Sequence, residues 1–286
     1  MLEAAVESDE LDDESKFWTL DALAFWDWQS GERGEGYSGR LRQMESIIEK
    51  GTLGHRERLS LVMKKMTEAA IKSRAEEVEG AFLRAKTFLS GDPMLARLLR
   101  FNHAVALFHL GRYVDAEHEA ELLYLEYYDV LGLDPADVVA VNPPEIIAKI
   151  HGDFEDHRDD FKHLADCLDL YAMSRHQRGL RSGLARLHAM KFFVMGGAYR
   201  SAVRVGQDAA DELIGYRDPE GACQIMENQL LPLIRHFGLT ESMVPVRAQY
   251  AVILAHCGRI REARDEMGRI TPFAASLTPE AQSELL

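Results

Sequence analysis

The chain has little cysteine, no long apolar run and a deficit of positive charge. Its three cysteines, Cys167, Cys223 and Cys257, lie far apart with no Cys-x-x-Cys pair. That excludes a disulfide framework and fits reduced thiols in a cytoplasmic protein. No apolar stretch approaches the roughly 18 residues of a membrane span. The acidic start is not that of a signal or transit peptide. Thirty-three basic against 47 acidic residues give a net charge of −14, which argues against a phosphate-binding, nucleic-acid surface. Alternating β patterns are scarce; "DVVAV" (137–141) is the nearest and runs into Pro143 and Pro144. Also missing are GxxxxGK[ST], GxSxG, HExxH and a GxGxxG between strand and helix, so the common nucleotide, hydrolase and zinc-protease motifs are excluded. No cofactor is expected.

What is present is helix. Ala, Leu, Glu, Arg and Met dominate, and apolar residues recur every three or four positions. Gly and Pro interrupt the pattern at short intervals, as in "ALFHLGRYVDAEHEA" (106–120). Helices of about 12–18 residues with short connections imply antiparallel neighbours.

The interruptions share a local pattern. Relative to Gly111, Ala104 lies seven before, Leu107 four before, Tyr113 two after and Ala116 five after. Gly258 has Ala251, Leu254, Ile260 and Ala263 at the same offsets, and Gly197 has Met190, Phe193, Tyr199 and Ala202. Ser73 has Met66, Ala69, Ala75 and Val78. Gly152 with Phe154 begins a fifth copy, but His157 stands where a small residue belongs. A small anchor lets the chain turn. The residue two beyond it plugs the gap between two helices, and small residues on both let their axes approach. One such hairpin cannot cover its own apolar face, so copies are expected to stack.

These offsets resemble the tetratricopeptide repeat (TPR), a helix–turn–helix unit of about 34 residues. The match is closest at 97–130 and 244–271, looser at 59–92 and 183–216, and weak near 138–171. The anchors at 73, 111, 152, 197 and 258 are spaced by 38, 41, 45 and 61 residues, so the superhelix would be irregular, with an extra helix at about 219–237. The expected fold is therefore all-α, a TPR-like superhelix of antiparallel hairpins (an α-solenoid). Its parts would be an acidic disordered tail (1–15), an N-terminal helical pair as cap (16–55), the repeats (56–272) and a C-terminal tail or truncated capping helix (273–286). The alternative is an unrelated α-bundle whose glycine-bounded helices mimic the motif.

In TPR proteins the first helix of each hairpin lines a groove that holds an extended peptide or a partner helix. The resemblance thus implies a groove lined by Phe101, Asn102, Val105, Phe108 and His109. Leu187, His188, Lys191 and Met195 would follow from the next copy, then Ala248, Gln249, Val252 and His256, and Met63, Lys64 and Thr67 from the first. Asn102 could donate to and accept from a peptide backbone. Val105 stands where chaperone-tail binders carry Asn, so a two-carboxylate clamp is not expected.

Charge and aromatics add three features. Residues 170–207 hold no acid but seven bases: Arg175, Arg178, Arg181, Arg186, Lys191, Arg200 and Arg204. Arginine clusters select carboxylate or phosphate, which suits an acidic partner, the chain's own acidic start among them. The alternative is an outer face balanced by nearby acids. All three tryptophans, Trp18, Trp26 and Trp28, fall in "SKFWTLDALAFWDWQS" (15–30). Phe17, Leu20, Ala24 and Trp28 form one stripe there, and Trp18, Ala22 and Phe25 another. The stretch is either buried by its neighbours or part of a homo-oligomer or partner interface. Asp156, Asp160 and His163 would share a helical face and could hold a divalent metal, against a plain solvated acidic helix.

The function expected from all this is a non-catalytic protein- or peptide-binding scaffold or adaptor. The alternatives are a sensor of a signalling peptide or small ligand, the repeat portion of a larger regulator, and a metal-dependent hydrolase.

Overall fold

The computed structural model describes residues 11–30, 34–89, 91–138 and 143–274. Among these residues every regular element is helical, as expected for the all-α class. None of the described helices is long and apolar enough to cross a membrane. The chain forms two compact units, residues 1–119 and 120–286, so the division falls inside the stretch expected as one repeat array.

The first unit holds α1 (Asp13–Ser30), α2 (Glu35–Glu49), α3 (His55–Ile71), α4 (Ala75–Lys86), α5 (Pro93–His109) and the start of α6 (Tyr113–Leu131). Helix α1 begins three residues before 16. Asp12 Oδ1 accepts the Ser15 N–H at 2.7 Å, and Asp13 and Glu14 sit where the helix N-terminus favours negative charge. The rest of the acidic start, 1–10, lies outside the described residues. Phe17, Leu20 and Ala24 of α1 are buried against Tyr37, Leu41, Met44 and Ile47 of α2 and Leu61 of α3. The second stripe, Trp18, Ala22 and Phe25, is exposed, as is Trp26 at 69%. The side chain of Trp28 lies outside the description. A second core joins Leu59, Met66 and Ala70 of α3 to Val78, Ala81 and Ala85 of α4 and to Leu99 and Ala106 of α5. Asp92 starts α5 by accepting the N–H of Met94 at 2.9 Å, with Pro93 at the first helical position.

The second unit continues α6 and adds the short α7 (Pro135–Val138) and α8 (Pro143–Ile147), then a 3₁₀ turn (Phe154–His157). After these come α9 (Arg158–Gln177), α10 (Gly183–Met195), α11 (Tyr199–Gly215) and α12 (Pro219–Ile225). A π turn (Met226–Leu230), α13 (Leu231–Phe237), α14 (Thr240–His256) and α15 (Ile260–Ala274) complete it. Successive helices α9, α10 and α11 pack on one another, as do α14 and α15. The extra helix expected at 219–237 is present, but interrupted. Pro232 has no N–H to give, and its ring crowds the carbonyl four residues back, so the rod widens into the π turn just before it.

Four of the five anchors are the same turn. Ser73, Gly111, Gly197 and Gly258 all have positive φ, at 56°, 76°, 74° and 74°. In each the next residue's N–H reaches the carbonyl five back: Arg74 to Ala69, Arg112 to Leu107, Ala198 to Phe193 and Arg259 to Leu254, all between 2.8 and 2.9 Å. This closes a helix with a left-handed residue and satisfies carbonyls left open at its end. The residues seven and four before each anchor and five after it are all buried. The position two after behaves differently. Tyr113 and Tyr199 are half-buried, while Ala75 and Ile260 are exposed, so the expected plug exists only where that residue is aromatic. The fifth anchor departs altogether: Gly152 (φ 89°) separates α8 from the 3₁₀ turn and joins no helical hairpin.

Gly196 supports close packing rather than the turn itself. A Cβ there would meet the backbone N of Lys162 at 2.9 Å and the carbonyl O of Arg158 at 3.0 Å. The end of α10 thus rests directly on the first turns of α9. Backbone cannot give way as a side-chain tip can, so Gly196→Ala should cost about 1–3 kcal/mol. Urea unfolding would read this as a lower midpoint at unchanged slope. An unchanged midpoint would show that the two helices are free to part.

Candidate binding site

The second unit contains a cleft of about 740 Å³. Tyr124 and Tyr128 of α6, Leu168 and Tyr171 of α9, Leu184 and Leu187 of α10, and Leu213 of α11 give it largely apolar walls, with Tyr216 beyond α11. Tyr124 and Tyr171 meet edge to face, 5.4 Å between centroids. Two arginines expected from the sequence line it as well. Arg175 Nε donates to the carbonyl of Arg181 at 3.0 Å, and its Nη1 donates to the Tyr171 hydroxyl at 3.3 Å. Arg181 is exposed and lies over the Tyr216 ring, 4.9 Å from its centre. No carboxylate pairs with it among the described residues. His188 also lines the cleft. Its Nε2 is buried with no hydrogen-bond partner, and burial, then the Lys191 charge, lowers its pKa. The imidazole is therefore neutral at neutral pH, able to donate or accept one further hydrogen bond.

An ion-pair network adjoins the cleft, and one of its members, Glu212, lines the cleft together with Ser182 and Asp218. Arg186 is 5% exposed and meets Asp208 at 3.0 Å, Glu212 at 3.3 Å and Asp169 at 3.9 Å. Arg204 meets Asp169 at 2.5 Å and Asp208 at 3.2 Å. Glu212 also closes the N-terminus of α10, accepting the N–H of Ser182 at 2.6 Å and of Gly183 at 3.1 Å, and the Ser182 hydroxyl. Burial alone would raise its pKa, but the bonds from Ser182 and the Arg186 charge outweigh it and hold Glu212 below the usual carboxylate value. Asp166 behaves oppositely. Burial, aided by Asp169 and opposed by Lys162 and Arg204, pushes it up to about 7. A raised carboxylate favours the fold while protonated, so its contribution is complete below the ordinary 3.8 and is lost as pH rises through about 7. Asp166→Asn should therefore be more stable than wild type above neutrality and equal to it in acid. Melting curves across that pH range would show it, and a constant offset at every pH would refute it.

No family model matches this sequence, and no curated protein or solved structure matches it either. The TPR resemblance thus rests on the hairpin offsets alone.

The other expected site residues are distributed as follows. Phe101, Asn102, Val105, Phe108 and His109 are all half-buried on α5. Asn102 gives an amide hydrogen to the carbonyl of Leu98, 2.8 Å away in its own helix. Phe108 meets the Tyr113 ring edge-on at 5.3 Å. On α3, Met63 packs against the core, Lys64 pairs with Asp21 at 3.3 Å, and Thr67 donates to the Met63 carbonyl. On α10, Leu187 and His188 reach the cleft, Lys191 is half-buried and Met195 is buried. On α14, Val252 and His256 are exposed and Ala248 is half-buried. Gln249 spends its amide hydrogens on α11, at the Gln207 carbonyl (3.0 Å) and Asp211 (2.6 Å); it ties two helices together. Arg178 is exposed, and Arg200 pairs with Glu241 at 2.8 Å. Asp156, Asp160 and His163, weighed as a metal trio against a plain acidic helix, do not come together. Asp156 sits in the 3₁₀ turn before α9, Asp160 pairs with His157 at 2.9 Å, and His163 faces Asp166. Among the described residues no three His, Cys, Asp or Glu could hold an ion.

Sequence reasoning found Arg175, Arg181, Leu187 and His188 of the cleft and missed its aromatic wall. Tyr171 and Arg175 at i and i+4 were a legible signal. Tyr216 and Leu213 carried none.

Proposed function

We propose that the protein is a non-catalytic binding module built from divergent TPR-like hairpins. In this reading the cleft of the second unit receives an apolar side chain of a protein or peptide that carries an acidic group beside it. The observation that carries it is the pairing of largely apolar walls with Arg181, a guanidinium with no carboxylate partner among the described residues. Apolar burial would supply affinity, the arginine a charge-assisted contact, and His188 Nε2 a hydrogen bond inside. The volume also falls within the range of small-ligand sites, which favours, as a second reading, a sensor of a small ligand with the same two chemical features.

Panning a random peptide library on the full chain tests the first reading. The enriched peptides should pair an aromatic or aliphatic residue with an acid. Arg181→Glu should weaken them about 10- to 100-fold, and Leu184→Trp, at an exposed position on the cleft wall, should block them. Peptides that bind both variants as well as wild type would remove the cleft from the function. Enrichment of nothing, together with stabilisation by small aromatic carboxylates, would favour the sensor.

A further inference from the structure

Two opposite charges line the cleft of the second unit without meeting each other. Arg181 stands on the loop between α9 and α10, and Asp218 on the turn between α11 and α12, two residues after Tyr216. Both line the cleft and both are exposed. The Arg181 guanidinium lies over the Tyr216 ring, which brings loop and turn together. Asp218 Oδ1 accepts the N–H of Gly221 at 2.9 Å. A Cβ on Gly221 would lie 2.6 Å from Asp218 Oδ2, so this glycine leaves room for the carboxylate against the first turn of α12. Among the described residues no base pairs with Asp218 and no acid with Arg181. The other charged groups of the lining are engaged. Arg175 donates to the Arg181 carbonyl and the Tyr171 hydroxyl, and Glu212 holds Ser182, Gly183 and Arg186. Arg181 and Asp218 are thus each steadied by an uncharged group, a ring or a backbone N–H, and each keeps its charge free for a ligand.

Given the binding-module reading of this cleft, we propose that the partner segment carries a base as well as an acid, flanking its apolar residue, with the acid at Arg181 and the base at Asp218. The two charges then form a complementary pair with the partner's two. A lysine or arginine suits the second position, because its apolar stem can lie along the cleft wall while its charged end stays in water. Both contacts are exposed, so each adds only modest affinity. Their main effect is selection and orientation. A segment with two acids would set one against Asp218, a segment with two bases would set one against Arg181, and a segment lying the wrong way round would do both.

The test screens a library of acetylated, amidated peptides on the full chain as wild type, as Asp218→Asn and as the double variant Arg181→Glu/Asp218→Lys. Asparagine keeps an oxygen for the Gly221 N–H and removes only the charge. Wild type should enrich peptides in which an acid and a base flank an aromatic or aliphatic residue. Replacing the peptide's base by glutamine should weaken binding about 3- to 5-fold on wild type and leave it unchanged on Asp218→Asn, where the acid still counts. Added salt should shrink the base's effect. The double variant should accept peptides whose acid and base are exchanged. Peptides that need the acid but ignore the base would overturn the proposal and leave the binding-module reading standing. So would a base whose removal costs as much on Asp218→Asn as on wild type. Enrichment of nothing would overturn both. Stabilisation by free phenylalanine, whose carboxylate and ammonium suit the same two charges, would in that case assign them to a small zwitterion. Circular dichroism shows whether each variant folds, and the change of the peptide's base on wild type stands without them.

Discussion

Glu212→Gln should lower the stability of the second unit by about 3–5 kcal/mol, the cost of removing one partner from a buried ion pair. Three connections fail together. The N–H groups of Ser182 and Gly183 lose the charged acceptor that satisfies the start of α10. The Ser182 hydroxyl loses its acceptor. Arg186 keeps Asp208 and Asp169 but stays buried with less negative charge around it. An amide has nearly the carboxylate's shape, so the loss reflects charge and hydrogen bonding rather than a cavity. The pH dependence gives the sign. Glu212 is held below its ordinary 4.5, so its contribution is present above that value and is lost as pH falls through the folded pKa. Wild type and Glu212→Gln should therefore differ most near neutrality and converge in acid. Urea unfolding at a series of pH values measures this. A difference that persists unchanged into strong acid would show that shape, not charge, sets the loss. Arg186→Met provides the companion test. It should cost less than Arg186→Ala, because its apolar stem refills the space and Glu212 keeps its backbone donors.

That network explains why the basic run was misleading along the chain. Residues 170–207 contain no acid, yet Asp166 and Asp169 stand just before the window and Asp208 and Glu212 just after it. With α9, α10 and α11 packed on one another, Asp169 from one side and Asp208 and Glu212 from the other meet Arg186 and Arg204. Charge counted along the sequence separates groups that a helical hairpin places within 4 Å. Arg181 differs because it belongs to the loop between α9 and α10, where no opposing helix brings an acid to it. The four turns were legible for the complementary reason: a left-handed closing residue and its buried neighbours are set by sequence offsets alone. Ser73 fits because it too takes positive φ, at 56°. Gly152 failed because its neighbours do not form two helices long enough to pair. The aromatic wall of the cleft was not legible, since it joins side chains from α6, from α9 and from the residue after α11, whose register depends on contacts such as Gly196 against α9.

Phe192→Ala should cost about 3–5 kcal/mol, the range for deleting a fully buried aromatic ring, and should also weaken any ligand of the cleft. Phe192 is 0% exposed. It stacks on Phe161 of α9, with centroids 5.9 Å apart, and meets Tyr128 of α6 edge-on at 5.8 Å. Tyr128 in turn forms cleft wall, so Phe192 holds a binding surface that it does not itself line. Removing the ring leaves a void against Tyr128 and frees that side chain to lean away from the cleft. Phe192→Leu restores much of the volume, and its cost should fall to about 1–1.5 kcal/mol. The tryptophans, at 18, 26 and 28, all belong to the first unit, so their fluorescence follows that unit alone while circular dichroism follows both. The Phe192→Ala loss should therefore appear in the dichroism transition before the tryptophan transition. Peptides selected on the wild-type cleft should bind the Leu variant nearly as well as wild type and the Ala variant more weakly, at temperatures where both are folded. If the Ala variant unfolds early but binds with full affinity while folded, the core stabilises the unit without shaping the cleft, and Tyr128 is held by its other neighbour, Tyr124, at 6.1 Å.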